Sequence, residues 1–149
     1  MERTLVLIKP DAVQRGLIGD ITSRLENKGL RISGMKLMRI SEELAGRHYG
    51  EHIGKPFFDS LVNFITSSPI VALAVDGDNA VMVVRNVMGA TNPQDASNGS
   101  IRGDLGLSIG MNLIHGSDSV TSSERELALF FDESELLNYD RDIDKWIIE

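Results

Sequence analysis

The sequence predicts an α/β fold of the α+β type, in which a four-stranded antiparallel sheet packs against helices lying mainly on one face. Three observations lead to this class. Four apolar segments have strand length, amphipathic segments of helical spacing alternate with them, and the 149 residues suit a single domain, 1–149. The alternation is interrupted once, where two helical segments follow one another, and this order fits a split βαβ, or ferredoxin-like, sandwich.

The first two elements are predicted from a buried strand pattern and a helical one. Thr4–Lys9 is an apolar run that Pro10 ends, as expected of a strand. Apolar residues then recur at helical spacing over 18–25, and Gly29 stands where a helix C-cap belongs. A β-strand followed by an α-helix is therefore expected over the first 29 residues.

The middle of the chain is predicted as strand, two helices and strand. Leu30–Ile40 has the strand pattern, but its alternation changes phase across Gly34, which indicates a bulge. Ser41–Tyr49 and Phe57–Thr66 are typical of short helices. Ile70–Asp76 is a continuous apolar run and is expected to form the third strand.

The remaining elements surround a long segment without a clear period. Ala80–Met88 fits either strand or helix. Gly89–Gly110 has 22 residues, five of them glycine, and structureless segments of this length are usually functional. Met111–His115 is predicted as a short strand. Thr121–Glu124 matches a capping box that opens a helix running through Phe131.

The composition excludes several classes of protein. The chain has no cysteine, so disulfide scaffolds and thiolate sites are excluded and a cytoplasmic location is expected. No apolar run approaches the ~18 residues of a membrane helix, and no membrane association is expected. The net charge is −7, with three cations and ten carboxylates in Asp118–Glu149. Nucleic-acid binding is not indicated, because it needs a basic face.

His115 is the histidine whose position is most informative. It follows the long glycine-containing segment at the end of a predicted strand, where small-molecule sites are often built. Imidazole can act as a nucleophile near neutral pH. The alternative is a structural histidine held in a turn. His48 and His52 are four residues apart and could share a helix face, but no third metal ligand is evident.

Isolated cations favour an anion site. Arg85 and Arg102 are the only two basic residues between Lys55 and Arg125, and they frame the long segment. The guanidinium group matches phosphate oxygens in a bidentate manner. The alternative is that both arginines lie at the surface and pair with Asp95 or Asp104. Lys9 ends an apolar strand, where its ammonium group must reach solvent or meet an anion.

These segments together resemble the nucleoside diphosphate kinase family. The match includes the Asn-Leu-Ile-His-Gly-Ser-Asp-Ser signature at 112–119 and extends over essentially the whole chain. Further blocks of the family correspond to Arg3-Thr4 through Lys9-Pro10-Asp11, Gln14-Arg15-Gly16, His48-Tyr49, Pro56-Phe57-Phe58, Gly89-Ala90-Thr91-Asn92-Pro93 and Ile101-Arg102-Gly103-Asp104. Two departures, Asn98 for proline and Leu105 for an aromatic residue, concern the rigidity of the long segment.

The resemblance implies a role for each residue around the nucleophile. His115 matches the histidine that is phosphorylated during turnover. Ser117 and Glu126 match the residues that position it, although Glu126 could instead belong to a second capping box. Tyr49 matches a tyrosine at the phosphate end, and Phe57 matches the aromatic residue that stacks on the base.

The resemblance also implies the nucleotide contacts. Lys9 and Asn112 match the residues that hold the ribose hydroxyls. Arg85, Thr91 and Arg102 match those that hold the phosphates. The implied cofactor is Mg²⁺, held mainly by the nucleotide phosphates, with no direct protein ligand.

The function implied by the resemblance is transfer of the γ-phosphoryl group from a nucleoside triphosphate to a nucleoside diphosphate. It proceeds by a ping-pong mechanism through phosphohistidine and tolerates many bases and sugars, because a stacked base is held without donor–acceptor readout. The expected partners are ATP, GTP and other nucleoside tri- and diphosphates. The alternative is a non-catalytic, nucleotide-binding regulatory protein of the same fold.

The C-terminal segment of the chain indicates that it assembles into an oligomer. Leu136–Glu149 carries Tyr139 and Trp146, and so apolar a terminus needs a surface to cover. That surface is either a neighbouring subunit or the chain's own core. Family members with a similar Trp-Ile-x-Glu tail form hexamers, so the resemblance implies a homohexamer with trimer contacts from Gly89–Gly110.

Overall fold

The computed structural model describes residues 1–149 and confirms the predicted class. The strands are β1 (Glu2–Ile8), β2 (Arg31–Met38), β3 (Ile70–Gly77) and β4 (Ile114–Gly116). The helices are α1 (Pro10–Gln14), α2 (Ile18–Asn27), α3 (Glu42–His48), α4 (Phe58–Ile65), α5 (Ala80–Met88), α6 (Ile101–Leu105) and α7 (Val120–Phe130). No helix has the length and apolar character that crossing a membrane requires.

The sheet has the strand order β2-β3-β1-β4, and all neighbouring strands are antiparallel. The bulge predicted near Gly34 is confirmed, because the register between β2 and β3 shifts between Ile32 and Gly34. Gly29 follows α2 at a φ of +105°, a conformation that glycine adopts without steric cost, as expected beyond a helix C-terminus.

Helices cover both faces of the sheet, and the prediction that they lie mainly on one face is wrong. Val6 and Ile8 pack with residues of α1, α2, α5 and α6, whereas Leu5 and Leu7 pack with residues of α3, α4 and α7. Successive side chains of a strand point to opposite faces. Because both faces of β1 are apolar, helices must pack on each face to exclude water from it.

Three local predictions are corrected. The segment 89–110, expected to lack regular structure, contains a 3₁₀ turn and α6. Both elements are too short to produce a recognisable hydrophobic period in the sequence. The fourth strand begins at Ile114 instead of residue 111, since Leu113 has a φ of +74° and cannot continue a strand. The N-cap of α7 is Ser119, whose hydroxyl accepts from the Ser122 amide, so Thr121–Glu124 is not the capping box.

The tail packs on its own chain. The Leu137 amide donates to the Ser33 carbonyl at 2.8 Å, and Arg141 donates to the carbonyls of Gly29 and Leu30 at 3.0 and 3.1 Å. The alternative of docking on the chain's own core therefore describes this part of the tail. Trp146 differs, since 81% of it is exposed.

A buried ion cluster joins the sheet to this tail. Asp76, only 3% exposed, accepts from Arg3 at 2.6 Å and from Arg31 at 2.6 Å, and Arg31 also donates to the carbonyl of Tyr139. Burial would raise the pKa of Asp76, but hydrogen bonds from Arg3, Arg31 and Ser33 hold that pKa below its ordinary value. The carboxylate therefore stays ionised while folded.

We expect Asp76→Ala to lower the free energy of unfolding by about 3–5 kcal/mol, because it leaves the charge of Arg31 without its partner. A depressed folded-state pKa stabilises the protein above the unfolded-state value, about 3.9, and that stability is lost as the pH falls. The difference between wild type and Asp76→Asn should therefore shrink on acidification. Urea unfolding across a range of pH measures both effects, and Asp59→Asn at an exposed position is the control. If Asp76→Ala lowers the free energy of unfolding by less than about 1 kcal/mol, the ion cluster does not have the proposed role in stability.

Candidate active site

His115 lies on the short strand β4, opposite Leu7 of the central strand. Its side chain is about one-quarter exposed, and its Nε2 lies 2.5 Å from Oε1 of the buried Glu126. The buried Ser117 hydroxyl donates to the same oxygen at 3.1 Å. These contacts leave Nδ1 as the ring nitrogen without a hydrogen bond. The alternative that Glu126 serves a capping box is excluded by the position of the helix N-cap.

Glu126 is ionised in this environment. Burial raises the pKa of Glu126, but the hydrogen bonds from His115 and Ser117, together with the neighbouring imidazoles, outweigh this effect and hold the pKa below its usual value. A carboxylate on Nε2 fixes the ring orientation and favours the tautomer with its proton on that nitrogen. The Nδ1 lone pair is then the one available for reaction.

His48 is a member of the site that the sequence did not identify. It is buried on α3, and its ring contacts that of His115 edge-on with centroids 4.9 Å apart. Neither ring nitrogen has a hydrogen-bond partner. Burial and the nearby His115 charge lower the pKa of His48 to about 3, so the ring is neutral. The spacing of His48 from His52 gave no signal of this contact.

The potential metal ligands around His115 do not suit direct binding of Mg²⁺. Single ligand atoms of His48, His115 and Glu126 lie within 4.8 Å of one another. Magnesium prefers six oxygen ligands and keeps several waters, whereas this group offers two nitrogens and one oxygen. The donor set therefore fits a magnesium ion that arrives on nucleotide phosphates better than one caged by the protein.

Lys9 and Asn112 form a polar pair where β1 ends. The Lys9 ammonium donates to Asn112 Oδ1 at 2.8 Å, and Asn112 Nδ2 donates to the Thr91 carbonyl at 3.0 Å. Burial and then the charge of Arg102 lower the pKa of Lys9 to about 8, while Asp11 opposes the shift. The predicted residues Lys9, Thr91 and Asn112 are thus connected in one network.

The two arginines are held in different ways. Arg102 is buried and donates to the carbonyls of Asn112, Gly89 and Ile114 at 3.1, 3.2 and 2.6 Å. Its pKa falls to about 10 through burial and the charge of Arg85. The alternative pairing of Arg102 with an acidic neighbour is wrong, since its nitrogens bond to carbonyls.

Arg85 reaches β4, the strand of His115, from α5. It donates from Nη1 to the Gly116 carbonyl at 3.0 Å. A Cβ atom at Gly116 would lie 2.6 Å from Met88 Sδ, closer than real contacts permit. The glycine after His115 therefore allows α5 to approach β4, which brings this guanidinium beside the histidine.

Many of these side chains line a single cavity of about 400 Å³. Five of the predicted residues line it, namely Tyr49, Arg85, Thr91, His115 and Glu126. His48 and His52, which the sequence analysis considered only as a metal pair, also line it, as does Arg125, which that analysis did not single out. Burial raises the pKa of Tyr49 to about 12, so its hydroxyl remains a donor. Ser117, Lys9, Asn112 and Arg102 are not among the lining residues.

Phe57 stands at the N-terminal end of α4, beside the cavity. Its ring lies 5.2 Å from that of His52, which lines the cavity, and 46% of the residue is exposed. An exposed aromatic ring at a cavity rim provides a flat apolar surface on which a planar group can stack.

An imidazole nitrogen without a hydrogen bond beside guanidinium groups suits attack on phosphorus, because guanidinium groups bind the oxygens that carry the charge. The fold and this site together are those of a phosphotransferase.

The chain belongs to the nucleoside diphosphate kinase family, whose family model, "Nucleoside diphosphate kinase", matches residues 2–136. It is 57% identical over 149 residues to a nucleoside diphosphate kinase of Staphylococcus aureus, with 100% of both chains covered. The structure of the Halobacterium salinarum enzyme in complex with CDP superposes with a TM-score of 0.97 at 59% identity, covering 99% of each chain. A family protein from Babesia bovis superposes with a TM-score of 0.97 at 40% identity, covering 99% of this chain and 100% of its own.

Arg102→Ala and Arg85→Ala should differ in stability. Arg102→Ala removes the donor to three carbonyls and should lower the free energy of unfolding by at least about 2 kcal/mol, whereas Arg85→Ala should lower it by less than about 1 kcal/mol. Each should reduce kcat/KM for phosphoryl transfer by about 10²-fold or more. Urea unfolding and steady-state kinetics measure the two effects. If both variants are equally stable, the prediction that Arg102 has a structural role is wrong. If kcat/KM is unchanged, the prediction that the two arginines form an anion site is wrong.

Proposed function

We propose that this chain transfers the γ-phosphoryl group from a nucleoside triphosphate to a nucleoside diphosphate through a phosphohistidine at Nδ1 of His115. The observation that supports this most strongly is the hydrogen bond between Glu126 and Nε2, because it leaves Nδ1 free on a residue that lines the cavity. The family supports transfer between nucleotides independently of this geometry.

The first half-reaction forms one bond and breaks one. The Nδ1 lone pair attacks the γ-phosphorus in line, and the bond to the bridging oxygen breaks, so the nucleoside diphosphate leaves with that electron pair. The imidazole acquires positive charge, which the carboxylate of Glu126 stabilises across Nε2, with Ser117 holding that carboxylate. A second diphosphate then takes the phosphoryl group by the reverse step, which gives ping-pong kinetics.

The cations hold the phosphates while charge develops on them. We assign this role to Arg85 and Arg102, with Thr91 and Tyr49 at the phosphate end of the cavity. Mg²⁺, carried by the phosphates, supplies further neutralisation of negative charge when bound. Guanidinium groups already fixed by backbone carbonyls need little reorganisation during the reaction.

The remaining predicted residues bind the nucleoside. We assign the ribose hydroxyls to Lys9 and Asn112, whose mutual hydrogen bond places a donor and an acceptor side by side. We assign the base to Phe57. Stacking is tolerant because every base has a π-face, so purine and pyrimidine nucleotides, ATP and GTP among them, are expected substrates.

The second candidate is a non-catalytic nucleotide-binding protein of the same fold. Against it stands the buried Glu126, which a protein that only binds nucleotides does not need beside His115. A buried carboxylate is costly unless it is paired, and its pairing here is with the nucleophile's far nitrogen. The geometry therefore favours the enzyme.

Mixing with ATP should add one phosphoryl group to the protein, seen by intact mass, labile in acid and transferable to a different diphosphate. His115→Ala should neither gain the group nor turn over, because no other imidazole of the cavity is held through Nε2 by Glu126. His115→Gly should regain part of its activity when free imidazole is added. His52→Ala is the matched control, since it removes another imidazole that lines the cavity. Robust turnover by His115→Ala without imidazole would refute the mechanism.

We further propose that residues 1–149 act as one domain in the cytoplasm and that six copies assemble into a homohexamer. Exposed apolar side chains support assembly. Trp146 and Ile148 on the tail are 81% and 50% exposed, and Leu107 and Ile109 on the long segment are 76% and 58% exposed. Large apolar residues of this kind are common in the cores of interfaces.

Light scattering of the purified protein should give the mass of six chains. Removal of Lys145–Glu149 should weaken the hexamer before it reduces transfer at His115, because the tail does not line the cavity. A mass of four chains or of one would contradict the hexamer, and an intact hexamer after truncation would contradict the role of the tail.

A further inference from the structure

Leu113, two residues before His115, has a backbone conformation that leucine rarely adopts. Its φ is +74°, and the residue is fully buried. A non-glycine residue in the left-handed region costs about 1–3 kcal/mol and persists only where its surroundings hold it. Something in the structure must therefore fix this residue.

The turn after β1 fixes it from both sides. The Lys9 amide donates to the Leu113 carbonyl at 2.9 Å, and the Leu113 amide donates to Asp11 Oδ2 at 3.0 Å. Both polar backbone groups of Leu113 are thus tied to residues 9–11. The first tie is between backbone groups, but the second depends on one side chain.

The chain direction on either side of Leu113 determines two residues of the site. Asn112 precedes it and contacts Lys9 and Arg102, and its carbonyl also accepts from the Ile114 amide at 2.8 Å. Ile114 begins β4, which carries His115. A change in the Leu113 conformation would rotate Asn112 and the nucleophile relative to one another.

We propose that Asp11 is a positioning residue for phosphoryl transfer: its carboxylate holds Leu113 in the left-handed conformation and thereby fixes Asn112 and His115 in their relative orientation. This inference rests on the proposed role of His115 as nucleophile. Asp11 does not line the cavity and has no part in bond making.

The other carboxylate oxygen supports a role beyond packing. Asp11 Oδ1 is buried and has no hydrogen-bond partner, although buried polar atoms nearly always have one. Its position near Lys9 makes the ammonium group easier to keep charged. Packing alone does not account for a buried oxygen without a partner, so the hydrogen bond that Oδ2 accepts from Leu113 is the contact that explains a carboxylate at this position.

The test compares Asp11→Ala, Asp11→Asn and the control Asp59→Ala. Asp59 is also acidic and lies in the first turn of a helix, but it is exposed. We expect Asp11→Ala to slow single-turnover formation of the phosphoenzyme from ATP by about 10- to 100-fold while the dissociation constant for CDP changes less than about threefold, since misorientation affects the attack more than binding. Asp11→Asn keeps an acceptor oxygen for Leu113 and should stay within about threefold of wild type. Asp59→Ala should match wild type.

Hydrogen exchange provides a readout that does not depend on activity. The Leu113 amide should exchange faster in Asp11→Ala than in wild type and remain protected in Asp11→Asn. Should Asp11→Ala fail to fold, Asp11→Asn decides alone: protection of Leu113 with near-normal phosphorylation supports the proposal, whereas exposure of the Leu113 amide with unchanged phosphorylation, or slowed phosphorylation with that amide still protected, overturns it. Wild-type phosphorylation rates and exchange in Asp11→Ala would also overturn it. A wild-type protein that forms no phosphoenzyme would instead refute the proposed function.

Discussion

The central position of β1 is the constraint on which the rest of the structure depends. Its side chains alternate between two apolar clusters, so the strand is buried on both faces and cannot shift without exposing one of them. β4 pairs only with this strand, and Lys9 follows its last residue. His115 and Lys9 are therefore positioned by the same strand.

Charge is distributed unevenly around the site. Lys9 and Arg102 both have lowered pKa values, because each is buried near another cation. Their charges are balanced only in part by Asp11 and by carbonyl dipoles. A polyanion bound close to these cations would relieve this repulsion, so the same electrostatics favour the phosphate chain of a nucleotide.

The sequence predicted the elements with long periodic patterns and the residues that the family motifs contain. It did not predict features that depend on tertiary contacts. The left-handed Leu113 shortens β4, and the pairing that holds it is remote in sequence. His48 contacts the ring of His115, a residue remote in sequence, from the end of α3. Ser119 caps α7 in preference to Thr121, since local patterns offered several equivalent starts.

The exposed position of Trp146 has a consequence for spectroscopy. It is the only tryptophan of the chain, and it does not line the cavity. Intrinsic fluorescence excited at the indole band therefore reports the surroundings of the tail and is insensitive to occupancy of the nucleotide site. Contact of the indole with another subunit would replace water around it and move its emission to shorter wavelength. The chain thus carries a native optical reporter of association that is separate from catalysis.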